Sequence, residues 1–148
     1  MTDCRRVVIV PCSGIGKTYG TVSREAAYEV TEGTRPAETQ IVPLSLLVLG
    51  DEEARAAVAG NPAVTIDGCK LACATKMVKE SGGTVAQDFA VLDVYRRYKH
   101  FKPQGIAELN EGGQNLARAL ADEIAAVVDD LGTKHSDDAR GSVEAQDA

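Results

Sequence analysis

The feature that most constrains this chain is a β-branched run, Arg5 to Pro11, that ends directly in a Gly-rich turn, Cys-Ser-Gly-Ile-Gly-Lys, at residues 12–17. Val22, Ala26 and Val30 then fall on one face, which predicts a helix from about Gly16 to Val30. The same unit recurs downstream. Ala63 to Ile66 reads as a short buried strand ending at Asp67-Gly68-Cys69, and a helix is predicted from about Cys69 to Glu80, stopping at Gly82-Gly83. Between the two units, Glu32 to Glu38 reads as a loop, with Gly33 and Pro36 as breakers. Gln40 to Leu49 is apolar and fits either a strand or the approach to a helix. Asp51 caps a short helix through about Ala59, with Glu52 and Glu53 in its first turn. Thr84 to Val94 reads as one long or two short strands. Gly112-Gly113 opens a last helix, about Gln114 to Leu131, with Leu116, Leu120, Ile124, Val127 and Val128 as its apolar stripe.

Strands alternating with helices imply an α/β fold with a mostly parallel sheet flanked by helices. At 148 residues the chain suffices for one domain with a proper core. That domain is expected over residues 1–132. Residues 133–148 turn polar and acidic (Asp137, Asp138, Glu144, Asp147) and are expected to form a disordered tail. No apolar run is long enough to span a bilayer. The charged start before Val7 has too short an apolar stretch, and no small-residue cleavage site, to act as an export signal. The expected location is therefore cytoplasmic. The net charge of −6 opposes general nucleic-acid binding, which needs a positive field.

A reducing compartment makes four cysteines better suited to ligand or redox chemistry than to disulfides. In a parallel sheet, ligands sit beyond the carboxyl ends of the strands. Cys12 and Cys69 each fall at such an end, immediately before a predicted helix. Cys69 and Cys73 are four residues apart, which on a helix puts both thiols on one face with β-carbons about 5–6 Å apart. Helix N-termini favour thiolates, and three thiolates side by side repel unless a cation neutralises them. Cys12, Cys69 and Cys73 are therefore the expected metal ligands. Cys4 lies eight residues before Cys12, about 26 Å away along a strand, and is set aside at the opposite edge.

The segments Pro-Cys-Ser-Gly-Ile-Gly-Lys (11–17), Leu-Ser-Leu-Leu-Val-Leu-Gly-Asp-Glu-Glu-Ala (44–54) and Ile-Asp-Gly-Cys-Lys-Leu-Ala-Cys-Ala (66–74) resemble the DGC-motif family. These are small proteins described as zinc-binding and named for an Asp-Gly-Cys motif. The likeness covers roughly the first two thirds of the chain and implies metal binding without supplying a reaction. Three of the family's usual four cysteines fall on Cys12, Cys69 and Cys73. The fourth, in a Cys-Leu pair, falls on Ser45-Leu46, so this chain has lost a ligand. Three protein ligands with an open position suit a catalytic zinc ion, and equally a [4Fe-4S] cluster with one exposed iron. Zinc is the first choice on the resemblance, and the cluster is the alternative on the ligand set.

Pro11 to Thr18 nearly matches the phosphate-binding loop G-x-x-x-x-G-K-[ST], but Pro11 replaces the first Gly and removes a backbone donor where the loop must curl. Nucleotide hydrolysis is set aside. The looser reading is that the amides of Ser13 and Gly14, with Lys17, hold an anion. Asp67 and Gly68 border the cysteines, and Asp67 is expected to cap the following helix rather than act as an acid or base. Ser45 is open to three readings, a weak ligand, a hydrogen-bond donor to the bound species, or no role, with direct ligation not expected. Tyr95 to Lys102 is a basic-aromatic patch that could stack on RNA bases, but its aromatics are expected to pack down on the core. The expected function is a thiolate metal-binding protein with an open coordination site and a small anionic or sulfur-containing ligand. The rivals are an iron–sulfur enzyme of sulfur transfer or desulfuration, a metal carrier, and a metal-free redox thiol protein.

Overall fold

The structure, a computed structural model, describes residues 5–12, 14 and 16–146, with side chains described as far as residue 133. Four strands, β1 (Val7–Pro11), β2 (Thr39–Ile41), β3 (Ala63–Asp67) and β4 (Val85–Ala90), form one sheet in the order β2-β1-β3-β4. Every pairing is parallel, so the expected α/β architecture is present. β1 and β3 lie in the interior of the sheet and all their residues are buried, as expected of strands covered on both faces.

The alternation along β1 sorts the core into two layers. Val7 and Ile9, with Val64 and Ile66 of β3, pack under the helices α1 (Thr18–Tyr28), α5 (Val91–Arg97) and α6 (Glu111–Gln146). Val8, Val10 and Cys12 face the opposite way, against α2 (Leu44–Leu49), α3 (Glu52–Gly60) and α4 (Cys73–Glu80), through Leu47, Ala54, Val58, Ala74 and Val78. The period of two in the strands and the stripes on the helices build this sandwich.

Several boundaries differ from those predicted. Gln40 to Leu49 holds both options in turn, β2 and then α2, joined by Val42 and Pro43. Asp51 caps α3 as expected, its carboxylate accepting from the Ala54 N–H at 2.9 Å. α1 does not give way to a loop at Glu32. It widens into a π-helical turn, Glu29–Thr34, closed by the Arg35 N–H on the Val30 carbonyl at 2.8 Å. The Arg35 guanidinium then grips both oxygens of Asp129 on α6, each at 2.8 Å, and holds that carboxyl below the usual carboxylate range. Thr84 to Val94 is one strand only. Val91 and Val94 are buried at helical spacing and Tyr95 packs beside them, so the chain turns helical at Val91. Tyr98 and Phe101 also pack on this core, as anticipated for the patch.

The last helix starts at Glu111 and continues beyond the predicted end near Leu131, with its backbone helical to Gln146. Gly132 lies within that helix and no proline follows it, so neither usual stop signal operates there. Leu116, Leu120 and Ile124 are fully buried along the packed part of α6. Leu120→Ala is therefore expected to cost about 2–5 kcal/mol in urea unfolding. Leu49→Ala, at a position 78% exposed, is expected to stay within about 0.5 kcal/mol of the parent. Equal costs for the two would show that α6 is not part of the cooperative core.

Candidate functional site

Parallel strands deliver their carboxyl ends to one edge, and here that edge carries the cysteines. Pro11 pairs with Ile66, and the Cys12 N–H donates to the Ile66 carbonyl at 2.9 Å, so Cys12 is held in line with the end of β3. Its side chain is buried. The sulfur accepts the Gly68 N–H at 3.2 Å and lies 3.3 Å from the Ser23 hydroxyl on α1. Ser23 is also buried and its hydroxyl donates to the Gly20 carbonyl at 2.7 Å. A hydroxyl has a single proton, so while Ser23 serves Gly20 the Cys12 thiol is the donor between the pair. In the alternative arrangement the Ser23 hydroxyl turns its proton to the sulfur, which then accepts from both Ser23 and Gly68.

The close approach that makes these bonds depends on glycine. A β-carbon at Gly20 would lie 2.2 Å from Gly14 Cα, and one at Gly68 would lie 3.0 Å from the Gly20 nitrogen. The backbones of the first turn, of α1 and of the β3–α4 turn therefore meet with no room for side chains.

Asp67 closes β3 and is 5% exposed. One carboxylate oxygen accepts from the Ala74 N–H at 2.8 Å. The other accepts from the Thr75 N–H at 3.3 Å and the Thr75 hydroxyl at 2.7 Å. Asp67 is thus the cap it was expected to be, but for a helix that begins at Cys73 and not at Cys69. Ala74 and Thr75 are the second and third residues of α4, whose amides a capping side chain serves. Residues 69–72 loop out as a turn between carboxylate and helix. The Ala72 N–H bonds the Cys69 carbonyl at 3.2 Å, and Ala72 itself has φ +52°. The helical face predicted to carry both Cys69 and Cys73 is therefore absent: Cys69 sits on the turn, Cys73 on the first residue of α4, and both are free and exposed.

Among the described residues, no three His, Cys, Asp or Glu side chains converge closely enough to hold one ion. What the structure brings together is the edge itself: Cys12 beyond β1, with Asp67, Gly68, Cys69 and Cys73 beyond β3. Ser45 is exposed in the first turn of α2, which follows β2 to the same edge and packs against α4. Gly14 adopts φ +54° in the turn after Cys12, and Ser13 lies outside the described residues, as does Cys4. Lys17 is exposed at the N-cap position of α1.

Lys17 also lines a cavity of about 490 Å³ shared by Tyr19, Cys69, Lys70, Leu92 and Pro103. A second, of about 220 Å³, lies across the Gly68–Lys70 stretch and reaches Asp93 and Arg96. Ser23, Tyr19, Lys70 and Leu92 were not singled out by the sequence reading. Ser23 had one signal, a polar residue beside the apolar stripe Val22, Ala26 and Val30. Leu92 had none, because its helix read as strand. His100 stands on an exposed turn against Phe101, ring centroids 4.5 Å apart.

The model of the DGC domain family matches residues 8–112, a span that runs from the second residue of β1 past β4 and takes in every described residue of this edge. Comparison with curated proteins gives no match, and neither does comparison with solved structures. No helix among the described residues is long and apolar enough to cross a membrane.

Because the carboxylate serves two amides of α4's first turn, Asp67→Ala is expected to destabilise the fold by about 1–2 kcal/mol. Asp67→Asn keeps an acceptor and should recover part of that loss. Urea unfolding of the two variants checks this, and an Asp67→Ala protein as stable as the parent would remove the carboxylate from its capping role.

Proposed function

The chain belongs to the DGC domain family, and on that premise we propose that its edge cysteines form a cytoplasmic thiolate site for a soft metal. Cys12, Cys69 and Cys73 would hold it, with a zinc ion as the first choice and a [4Fe-4S] cluster as the alternative. The observation that carries the reading is the bond from the Gly68 N–H to the Cys12 sulfur. It ties a buried thiol at the end of β1 to the residue next to Cys69, so sulfurs from two adjacent strands share one edge.

The donor set fits in chemistry and not yet in placement. Three sulfurs suit zinc and iron–sulfur clusters alike, but the turn at 69–72 leaves Cys69 and Cys73 facing solvent. Uptake on this reading reorganises that exposed turn and leaves the sheet and Cys12 as they are. Gly68 and Ser23 keep their part in either state: one donates to the Cys12 sulfur, and the other has a proton to turn toward it. A bound soft cation supplies neutralisation of the thiolates and an open position for a soft ligand. Ser45, where the family carries a cysteine, comes to the same edge on α2 and is proposed as a hydrogen-bond donor to whatever is bound.

The cavity beside Cys69 favours a second reading, an iron–sulfur enzyme of sulfur transfer or desulfuration. Its volume of about 490 Å³ falls within the range of small-molecule sites.

The test is metal and sulfide analysis of protein purified without oxygen. About one zinc per chain supports the first reading. About four irons with as many sulfides supports the second. Cys12→Ser, Cys69→Ser and Cys73→Ser are each expected to lose most of the metal while keeping the parent circular dichroism, and Cys4→Ser is expected to keep it. Full stoichiometry in Cys12→Ser would break the trio. A protein that takes up neither metal leaves the exposed thiols as the chemistry, and Cys69 and Cys73 should then form a reversible disulfide.

A further inference from the structure

We propose that the cavity between α1 and the β3–α4 turn binds a small organic anion with an apolar body, a carboxylate in its simplest form. The inference rests on the thiolate reading above only for what Cys69 then does to the ligand, and the binding itself stands on separate features.

The cavity, about 490 Å³, has one cationic side and one apolar side. The cationic side is made by Lys17 and Lys70. Among the described residues, neither ammonium is paired with a carboxylate, although the charged side chains at Arg35, Arg96 and Arg97 each have one. Among the described residues, no acidic side chain lines this cavity. On a chain of net charge −6, two unpaired cations on one concave wall are a local reversal of field. Such a wall concentrates anions.

The apolar side is made by Tyr19, Leu92 and Pro103. Tyr19 is held by Tyr95, ring centroids 5.6 Å apart, so this wall is built on the packed core of α1 and α5. A bare inorganic ion would leave that side unfilled. An anion with an apolar body uses both, with its charge between the lysines and its carbon skeleton over Tyr19 and Leu92. Cys69 lines the same cavity, so a ligand seated there brings its substituents to the thiol proposed as a metal ligand.

The probes are benzoate, its neutral analogue benzamide, and 4-mercaptobenzoate, titrated by calorimetry into metal-loaded protein and into chelator-treated protein. Benzoate should bind saturably to both forms and about tenfold more tightly than benzamide, the scale of a charge-assisted contact. The double variant Lys17→Ala/Lys70→Ala should lose that advantage, keep the parent circular dichroism, and bind benzamide as the parent does. Absence of saturable benzoate binding in both forms would overturn the proposal, and so would a double variant that binds benzoate as well as the parent. A protein that takes up no metal yet binds benzoate supports the cavity and removes the metal site. Tighter binding of 4-mercaptobenzoate than of benzoate in the loaded form alone supports both.

Discussion

A carboxylate buried at the end of an interior strand must find donors, and Asp67 finds all of its donors in the first turn of α4. Leaving such a group unsatisfied costs more than an ordinary hydrogen bond returns. The amides that serve it are those of Ala74 and Thr75, so the helix must begin at Cys73. The Thr75 hydroxyl completes the set and leans on Thr65 at 2.7 Å, which secures the turn to the strand it leaves. Everything between carboxylate and helix, Gly68 to Ala72, is then excluded from both strand and helix. That exclusion puts Cys69 and Lys70 on an exposed turn over the cavity and leaves the Gly68 N–H free to meet the Cys12 sulfur. One buried acid thus sets the position of two thiols and one of the two cations.

The second constraint is the contact of three backbones at Gly14, Gly20 and Gly68. It lowers the turn after Cys12 onto α1 until the sulfur reaches Ser23, and it brings the β3–α4 turn against the same helix. Cys12 is consequently enclosed by groups that answer its protonation state, since Ser23 can serve as acceptor or donor and the Gly68 amide only as donor. Cys69 and Cys73 have no such surroundings. The trio is therefore unequal. One sulfur is built into the frame, and two are exposed, Cys69 on the turn and Cys73 at the start of α4.

How much of this could be read from residues alone follows the range of each interaction. The strand-turn-helix units at Val7 to Tyr28 and at Ala63 to Glu80 were legible because burial on two faces writes a short apolar run and a helical face writes a stripe. The cap of α3 was legible because Asp51 stands next to the helix it serves. The cap of α4 was legible as a role and misplaced by four residues, because a turn separates Asp67 from the amides it binds and spacing alone cannot tell a looped-out segment from a first helical turn. Val91 to Val94 read as strand since Val91, Leu92 and Val94 are as apolar as a buried strand would be, and only their packing on α1 and α6 decides the period. Of the candidate site, the placement of Cys12 and Cys69 just beyond the ends of β1 and β3 was legible from topology. Lys70, Tyr19 and Leu92 were not, since a cavity wall joins residues from three elements and leaves no pattern along any one of them.

The charge at this edge links the turn to the cavity. Three thiolates drawn together would carry more negative charge than the two lysines can offset, and the rest of an acidic chain adds to the repulsion. Cys69 and Cys73 are exposed, where water and salt screen such repulsion. On the proposed thiolate reading, Ser45 in place of a fourth thiol would reduce the same repulsion by one charge and would leave a bound cation one ligand short. The position thus freed would lie on the edge where Cys69 borders a cavity with cationic and apolar sides. On the proposed reading, an anion held by Lys17 and Lys70 would then stand beside the metal's open position, and a serine that weakens the protein's own hold on the ion would make room for an exogenous ligand.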